Sequence, residues 1–518
     1  MVTVFVDVIS EVFQLASLLA VLLGALIGVV VGALPGLSAT MAIALLIPVT
    51  FLMDPIPGLI LLISVYTAGV YGGTISAILL YTPGTPANAA TSLDGYPLTK
   101  LGQGYRAIII ATISSMSGGI LSAIALILFA PLLARISLVF GPQEYFWVAI
   151  FALTVIGGLA GNSLLKGVIA ALLGIALSFV GIDNMVGTQR LTFGVQGLQS
   201  GVQMIPAMIG LFAVAQLVVL LRQPQDHSIR IPKQETSLRK SNLTLREWMR
   251  ITPTIIKSGV IGTGVGVLPG AGGDIASWIS YNEAKRASKT PEKFGTGHYP
   301  AIAAPESANN AVVGGALIPT LTLGIPGSTA TAILLGGLIM KGLVPGHELF
   351  TRDGVATYSI IAGYVLGTIL MGVIGLVLAR YVVKVADAPV AVLVAVIITL
   401  SVLGSFAIRN SMFDVILMLV FGLIGYGLRV LDISAAPVIL GLILGPIAER
   451  GFRQTKTIVG DENIWLSFLT RPISAVLIAL ILGTLLFPAI RKLSHSAKSR
   501  RPPGRPSPTK HNGEIKRP

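Results

Sequence analysis

The sequence predicts an all-α polytopic membrane protein of about 10–12 transmembrane helices, some broken or re-entrant, built as a two-fold internal repeat read as inverted. Three observations predict it. The 518 residues are 53% hydrophobic and 11% charged with a mean hydropathy of +0.84, where soluble domains carry roughly 25% charged residues. Apolar runs approaching the ~20 residues that cross a bilayer recur along the chain. The same Pro-Gly punctuation appears in both halves.

Taken in order, the first run is Phe13–Val31, preceded by Asp7 and Glu11 but by no Lys or Arg. It lacks the basic region of a cleavable secretory signal and is expected to stay as a helix. Ala107–Leu133, Tyr145–Gly161, Gly167–Val180 and Met208–Leu221 follow, completing a first transmembrane repeat over residues 1–221. A basic cytoplasmic linker is expected over 222–250 and a second transmembrane repeat over 251–490, with runs at Tyr358–Val383, Phe413–Val430 and Ile473–Ile490. A basic tail over 491–518, rich in Pro, Ser, Lys and Arg, is expected to be disordered and cytoplasmic. Equal halves alone do not put linker and tail on one side, so an unmatched or re-entrant segment is expected, with Thr457–Thr470 a candidate. The 59 glycines and 30 prolines suit kinked or interrupted membrane helices.

The net charge of +14 is local: the stretch Arg222–Arg250 carries +4 and the tail +8. Basic segments flanking membrane helices follow the positive-inside rule and meet anionic lipids, and without interleaved aromatics they do not read as a nucleic-acid surface. With no cysteine there is no disulfide or thiolate metal site. Neither a His-Glu-x-x-His nor a Gly-x-Ser-x-Gly pattern occurs, which argues against an enzyme, and no Gly-x-x-x-x-Gly-Lys-Ser/Thr loop is present for ATP. No repeated charged ring suggests a channel, although a channel or a scaffold subunit stays open as an alternative.

Gly32-Ala-Leu-Pro-Gly36 returns as Gly266-Val-Leu-Pro-Gly270, Gly72-Gly73 as Gly314-Gly315, and Thr82-Pro-Gly-Thr85 as Ile325-Pro-Gly-Ser328. Asn162-Ser163 then matches Asn410-Ser411, and Asp183 matches Asp432, with offsets growing only from 234 to 249 residues. A break inside a membrane helix frees N–H groups at the start of the next half-helix, and such ends attract anions. The expected substrate positions are therefore Pro35, Gly36, Ser38 and Thr40; Pro83, Gly84, Thr85 and Asn88; Pro269 and Gly270; and Pro326, Gly327, Ser328 and Thr329. Backbone carbonyls and hydroxyls at the same breaks suit Na⁺, a hard cation.

Ionisable groups within membrane segments are costly and functional by default. Asp274 and Glu306, with Asn309 and Asn310 beside the latter, are the expected ion-coupling residues. For Glu306, capping a helix start after Pro305 is the competing reading. Asp94, in Asp94-Gly-Tyr-Pro97, reads as a turn former, and Arg135, Arg380 and Arg409 as snorkelling or loop residues.

The segments Gly32-Ala-Leu-Pro-Gly36 through Phe51, Tyr71-Gly-Gly-Thr-Ile-Ser, Thr82-Pro-Gly-Thr-Pro through Pro97, Pro291-Glu-Lys-Phe-Gly, Ala304-Pro-Glu-Ser-Ala-Asn-Asn-Ala and Gly314-Gly-Ala-Leu-Ile-Pro through Gly327 closely resemble one family. This is the large membrane subunit of the tripartite tricarboxylate transporters, the TctA type, and the resemblance covers about residues 10–490. It implies a multi-pass protein of the bacterial inner membrane that imports citrate-like carboxylates by Na⁺ or H⁺ symport, with no cofactor. It also implies two partners, a small membrane subunit (TctB type) and a periplasmic binding protein (TctC type). The Pro-Gly segments and the Ala-Pro-Glu-Ser-Ala-Asn-Asn cluster carry over as substrate and ion positions. The chain departs from the family pattern at Tyr299-Pro300-Ala301, after His298, where the family has a Glu-Gly pair.

Overall fold

In a computed structural model the chain is described over residues 2–34, 36–159, 163–183, 186–222, 241–386, 390–460 and 463–499. Pro35, Asn162, most of the expected linker (223–240) and the tail from 500 lie outside these residues. The described chain is helical throughout, apart from a short antiparallel pair, β1 (Gly181–Ile182) and β2 (Gln189–Arg190).

A short α1 (Val2–Val12) leads to α2 (Leu15–Ala33), which ends where Leu34 turns extended at φ −76, ψ 124. After the first Pro-Gly pair, α3 (Ala39–Phe51) starts with the Ser38 hydroxyl accepting from Met41 N. α4 (Pro55–Leu80) closes on Tyr81 in the left-handed conformation, and the second Pro-Gly pair separates it from α5 (Asn88–Lys100). α6 (Gly104–Ile136), α7 (Pro142–Leu159), α8 (Leu164–Ser178) and α9 (Met204–Arg222) complete this half, α9 with a π-helical middle over Ile209–Val214.

The second half takes similar turns at its own breaks. α10 (Leu245–Val267) opens with a capping box between Thr244 and Glu247 and ends on Leu268 at φ −78, ψ 122, nearly the conformation of Leu34. α11 (Gly272–Ala287) follows the third Pro-Gly pair. α12 (Tyr299–Leu323) closes on a left-handed Gly324, and α13 (Thr329–Met340) begins with a Ser328–Thr331 capping box after the fourth. α14 (His347–Thr351), α15 (Gly354–Ala386), α16 (Val390–Ala407), α17 (Met412–Val430), α18 (Ala436–Val459), α19 (Ile464–Thr470) and α20 (Pro472–Ser499) complete the chain.

Among the described residues six helices are long and apolar enough to span a membrane, or seven if the α19–α20 pair, bent by 96°, counts as one broken span. This falls short of the expected 10–12 for a physical reason. Pro-Gly breaks leave apolar pieces such as α3 and α13 too short, α8 is short as well, and α12 carries a polar run in its interior. Thr457–Thr470 is not one segment: Thr457–Val459 ends α18, and Ile464–Thr470 is a separate short helix. α20 runs on to Ser499, so the expected tail boundary at Arg491 is not a helix end.

The centre is formed by α4 and α12, buried over nearly their whole lengths. Small residues let the broken segments pack on them. A Cβ on Gly84 would stand 2.7 Å from both Gly32 O and Gly73 Cα, and one on Gly327 would stand 2.4 Å from Gly266 O and 2.7 Å from Ala316 Cα. Each second Pro-Gly pair thus lies on the crossing of the broken helix before it and the buried helix.

Several outlying polar residues differ from expectation. Asp183 is buried and ion-paired to Arg453 at 2.8 Å, whereas Asp432 sits exposed in a left-handed turn, so the two are not equivalent in role. Arg409 lies in a loop but does not snorkel: its guanidinium grips the fully buried Asp414 and donates to Ser200.

Candidate functional site

Glu306 lies inside α12 with no exposed surface, which disposes of the helix-cap reading. A buried carboxylate needs donors or a counter-charge. Its donors are hydroxyls from three helices. Thr74 of α4 lies 2.8 Å from both carboxylate oxygens, Thr91 of α5 donates to Oε1 at 2.5 Å, and Ser115 of α6 donates to Oε2 at 2.8 Å. Among the described residues no Lys, Arg or His bonds to it, and no group of three or more His, Asp or Glu is placed to hold a metal.

Behind this cage a chain of hydrogen bonds leads to the second break. Asn88 Nδ2 donates to Thr74 Oγ1 at 2.8 Å, while Asn88 Oδ1 accepts from Thr85 Oγ1 at 2.7 Å and Thr85 N at 3.2 Å. The start of α5 is thereby tied, through Asn88 and Thr74, to a carboxylate of the other half.

The third break meets the second here. Asp274, in the first turn of α11, lies near the backbone N–H of Ala87. A Cβ on Gly273 would stand 3.6 Å from Ala87 Cβ and 2.2 Å from Asn309 Oδ1, so the start of α11 packs against both the start of α5 and Asn309 of α12. Its Nδ2 is buried and, among the described residues, has no hydrogen-bond partner. Gly84 and Thr85 are half-buried and Asp274 is exposed, so this junction is open at one end. Two helix starts, an unpaired amide donor and a nearby carboxylate suit an anionic group held together with a cation.

The fourth break is closed off. Ile325–Ser328 is buried, Gly270 N donates to Gly327 O at 3.0 Å, and the Ser328 hydroxyl meets Tyr66 Oη at 2.8 Å. Pro269 and Pro326 are buried and Thr329 is half-buried. Asn310 belongs to a separate polar seam: its Oδ1 accepts from Thr67 at 2.9 Å, its Nδ2 faces Met371 Sδ at 3.2 Å, and Thr368, Tyr364 and Ser122 continue the line. The first break stands apart. Gly36, at φ +83, lies against Gln216, which accepts from Arg429; Ser38 caps α3 and Thr40 is half-buried.

The structure therefore joins Gly84, Thr85, Asn88, Asp274, Glu306 and Asn309, and leaves the fourth break and Asn310 as neighbours inside the packed core. The composition and spacing of the sequence did not single out Thr74, Thr91, Ser115 or Tyr66. The only available signal was Thr74 directly after Gly72-Gly73, where small residues make room for Asn88.

Asp94 is not a turn former. It is buried within α5 and accepts from the backbone N–H groups of Gly295 (2.9 Å), Gly297 (3.0 Å) and His298 (2.8 Å) and from Tyr281 Oη (3.0 Å). It clasps the loop between α11 and α12, including the residues just before the Tyr299-Pro300-Ala301 departure. Burial pushes the His298 imidazole below its ordinary pKa.

These features define the class as a polytopic α-helical membrane protein whose interior carries broken helices around a buried carboxylate. The chain belongs to the tripartite tricarboxylate transporter TctA family, whose model matches residues 18–440. It is similar to an uncharacterized 52.8 kDa protein in the TAR-I ttuC' 3' region of Agrobacterium vitis, 35% identical over 463 residues that cover 88% of this chain and 90% of the relative. An uncharacterized protein in the TAR-II ttuC' 3' region of Agrobacterium vitis is 38% identical over 234 residues, 44% of this chain and 96% of that relative. No solved structure matches.

Proposed function

We propose that this chain is the permease subunit of a binding-protein-dependent secondary transporter that imports citrate-like carboxylates by cation symport across the bacterial inner membrane. The observation that carries the reading is the meeting of the α5 and α11 starts around the unpaired amide of Asn309, one helix turn from the hydroxyl-caged Glu306. A carboxylate ligand takes the Asn309 amide and the N–H groups at the start of α11. The coupling cation, Na⁺ or H⁺, offsets the charge of Glu306, and Asp274 stands at the open end. Membership of a tripartite family supports a small membrane subunit and a periplasmic binding protein as partners. The matched conformations of Leu34 and Leu268, and of the Gly84 and Gly327 packing, support reading the halves as an inverted repeat that rocks or slides around this junction.

The test is uptake of labelled citrate by proteoliposomes holding this chain and its small subunit, with binding protein added, under an inward Na⁺ or proton gradient. Accumulation that needs both the gradient and the binding protein is expected. Gradient-independent leakage of citrate would instead indicate a channel, and no uptake of any ligand of the cognate binding protein would reject the permease reading.

A further inference from the structure

The hydrogen bonds around Glu306 have a fixed direction. Thr74 has one hydroxyl hydrogen, which it gives to the carboxylate, so its oxygen is left to accept Asn88 Nδ2. That sets the orientation of the carboxamide, and Oδ1 faces Thr85, where it takes two donors. There is no slack at this point: a Cβ on Gly73 would stand 2.4 Å from Asn88 Oδ1, so the amide is wedged between α4 and the break. Thr91, one turn further along α5, bonds the same carboxylate directly.

A cation arriving at Glu306 takes up the oxygen lone pairs that these hydroxyls use. A proton turns one carboxylate oxygen into a donor, and an alkali ion draws hydroxyl oxygens in as ligands. In both cases the oxygen of Thr74 turns toward the newcomer, and Asn88 Nδ2 shifts from it toward its other acceptor, Val70 O at 3.5 Å. Because the amide is wedged, the change passes to Thr85 and the start of α5. Tyr71 of α4 lies close enough to feel the charge of Glu306, with its own hydroxyl on Thr112 at 2.6 Å and Tyr105 beyond it. From α5 the carboxylate meets Thr91 and Asn88, from α6 Ser115, and the acid of α11, Asp274, sits near Ala87.

We infer that Asn88 is the positioning residue that couples cation occupancy of Glu306 to the geometry of the Pro83–Gly84 break, so that the α5 start rearranges when the cation binds. This rests on Glu306 being the cation site of the proposed symporter. A hydroxyl at 74 and an amide at 88 are both required, since the carboxamide donates at one end to Thr74 and accepts at the other from Thr85.

The chain has no cysteine, so a single Pro86→Cys substitution at an exposed position beside Thr85 reports on the break without background. Maleimide labelling of this variant, with its small subunit in proteoliposomes, is compared in Na⁺ and in choline, at high and low pH, each rate divided by that of the detergent-denatured variant at the same pH to remove thiol ionisation. The rate is expected to change by about threefold or more with one of the two cations, in line with a ligand-shifted two-state population. A response to Na⁺ assigns an alkali ion, and a response to pH alone assigns a proton. Adding Asn88→Leu or Thr74→Val is expected to flatten the response, while Thr74→Ser restores it. A full response in Asn88→Leu overturns the coupling role, as does a break indifferent to both cations. A break that responds in a protein that moves no carboxylate leaves the coupling intact and rejects the symporter reading instead.

Discussion

At the scale of single residues, Glu306 is exceptional because its burial is offset by neutral donors, mainly hydroxyls, with no cationic partner among the described residues. Hydrogen bonds to a charged group contribute about 1.5–3 kcal/mol each, so removing one donor should be felt without unfolding the protein. Thr91→Val is expected to weaken the apparent affinity for the coupling cation severalfold in uptake assays while expression and monodispersity stay near wild type; an unchanged cation dependence would remove Thr91 from the site. Asp94→Asn should loosen the clasp on residues 295–298 and speed trypsin cleavage at the neighbouring Lys289 and Lys293, with unaltered cleavage counting against it. Glu306 and Asn309 were legible in the sequence because a polar run within an apolar helix is rare. Thr74, Thr91 and Ser115 were not, because hydroxyls are common in membrane helices and only their convergence from three helices gives them a role. Asp94 was misread because an Asp-Gly-Tyr-Pro string is ordinary turn chemistry, and its real partners lie about two hundred residues away.

At the scale of elements, the Pro-Gly breaks do more than kink helices. The Gly84 backbone rests against Gly32 and Gly73, so even a methyl group must push the break off α2 and α4. Gly84→Ala and Gly327→Ala are each expected to cost about 1–3 kcal/mol of stability. Only the first should also reduce uptake per folded molecule, since the fourth break is sealed by Tyr66 and Ser328. Equal losses of uptake in both variants would return the fourth break to the site. Helix starts outside the membrane interior behave conventionally. The Glu247 carboxylate is held below its ordinary range first by the Thr244 backbone N–H, then by the Thr244 hydroxyl and Arg106. A depressed carboxylate stabilises above its ordinary pKa of 4.5, and that contribution is lost as pH falls through the lowered value. Protection of the first turn of α10 against hydrogen exchange, corrected for the intrinsic rate, should therefore drop on acidification in wild type and be low at every pH in Glu247→Ala. The breaks themselves were legible from dipeptides, but which of them join was not, because that depends on how α4 and α12 cross.

At the scale of the whole molecule, composition alone set the class and the motifs set the family. Among the described residues fewer helices have the length and apolarity of a span than the 10–12 expected, since breaks shorten apolar helices and a polar run interrupts one of the central ones. The pairing of landmarks led to a symmetric site of four helix starts, whereas the described structure is lopsided. Residues of the second half, Asp274, Glu306 and Asn309, meet the α5 start of the first, while Tyr66 occupies the space beside Ser328. Under the proposed function, this asymmetry makes Glu306 the decisive residue. The most direct test separates exchange from accumulation in proteoliposomes carrying the chain, its small subunit and the binding protein. Glu306→Gln keeps the shape of the side chain and one of its two acceptor oxygens but not its charge. The variant is expected to exchange labelled for unlabelled citrate across the membrane yet fail to concentrate it against a gradient. If Glu306→Gln accumulates citrate as wild type does under the same Na⁺ or proton gradient, the buried carboxylate is not the coupling site and the account is wrong.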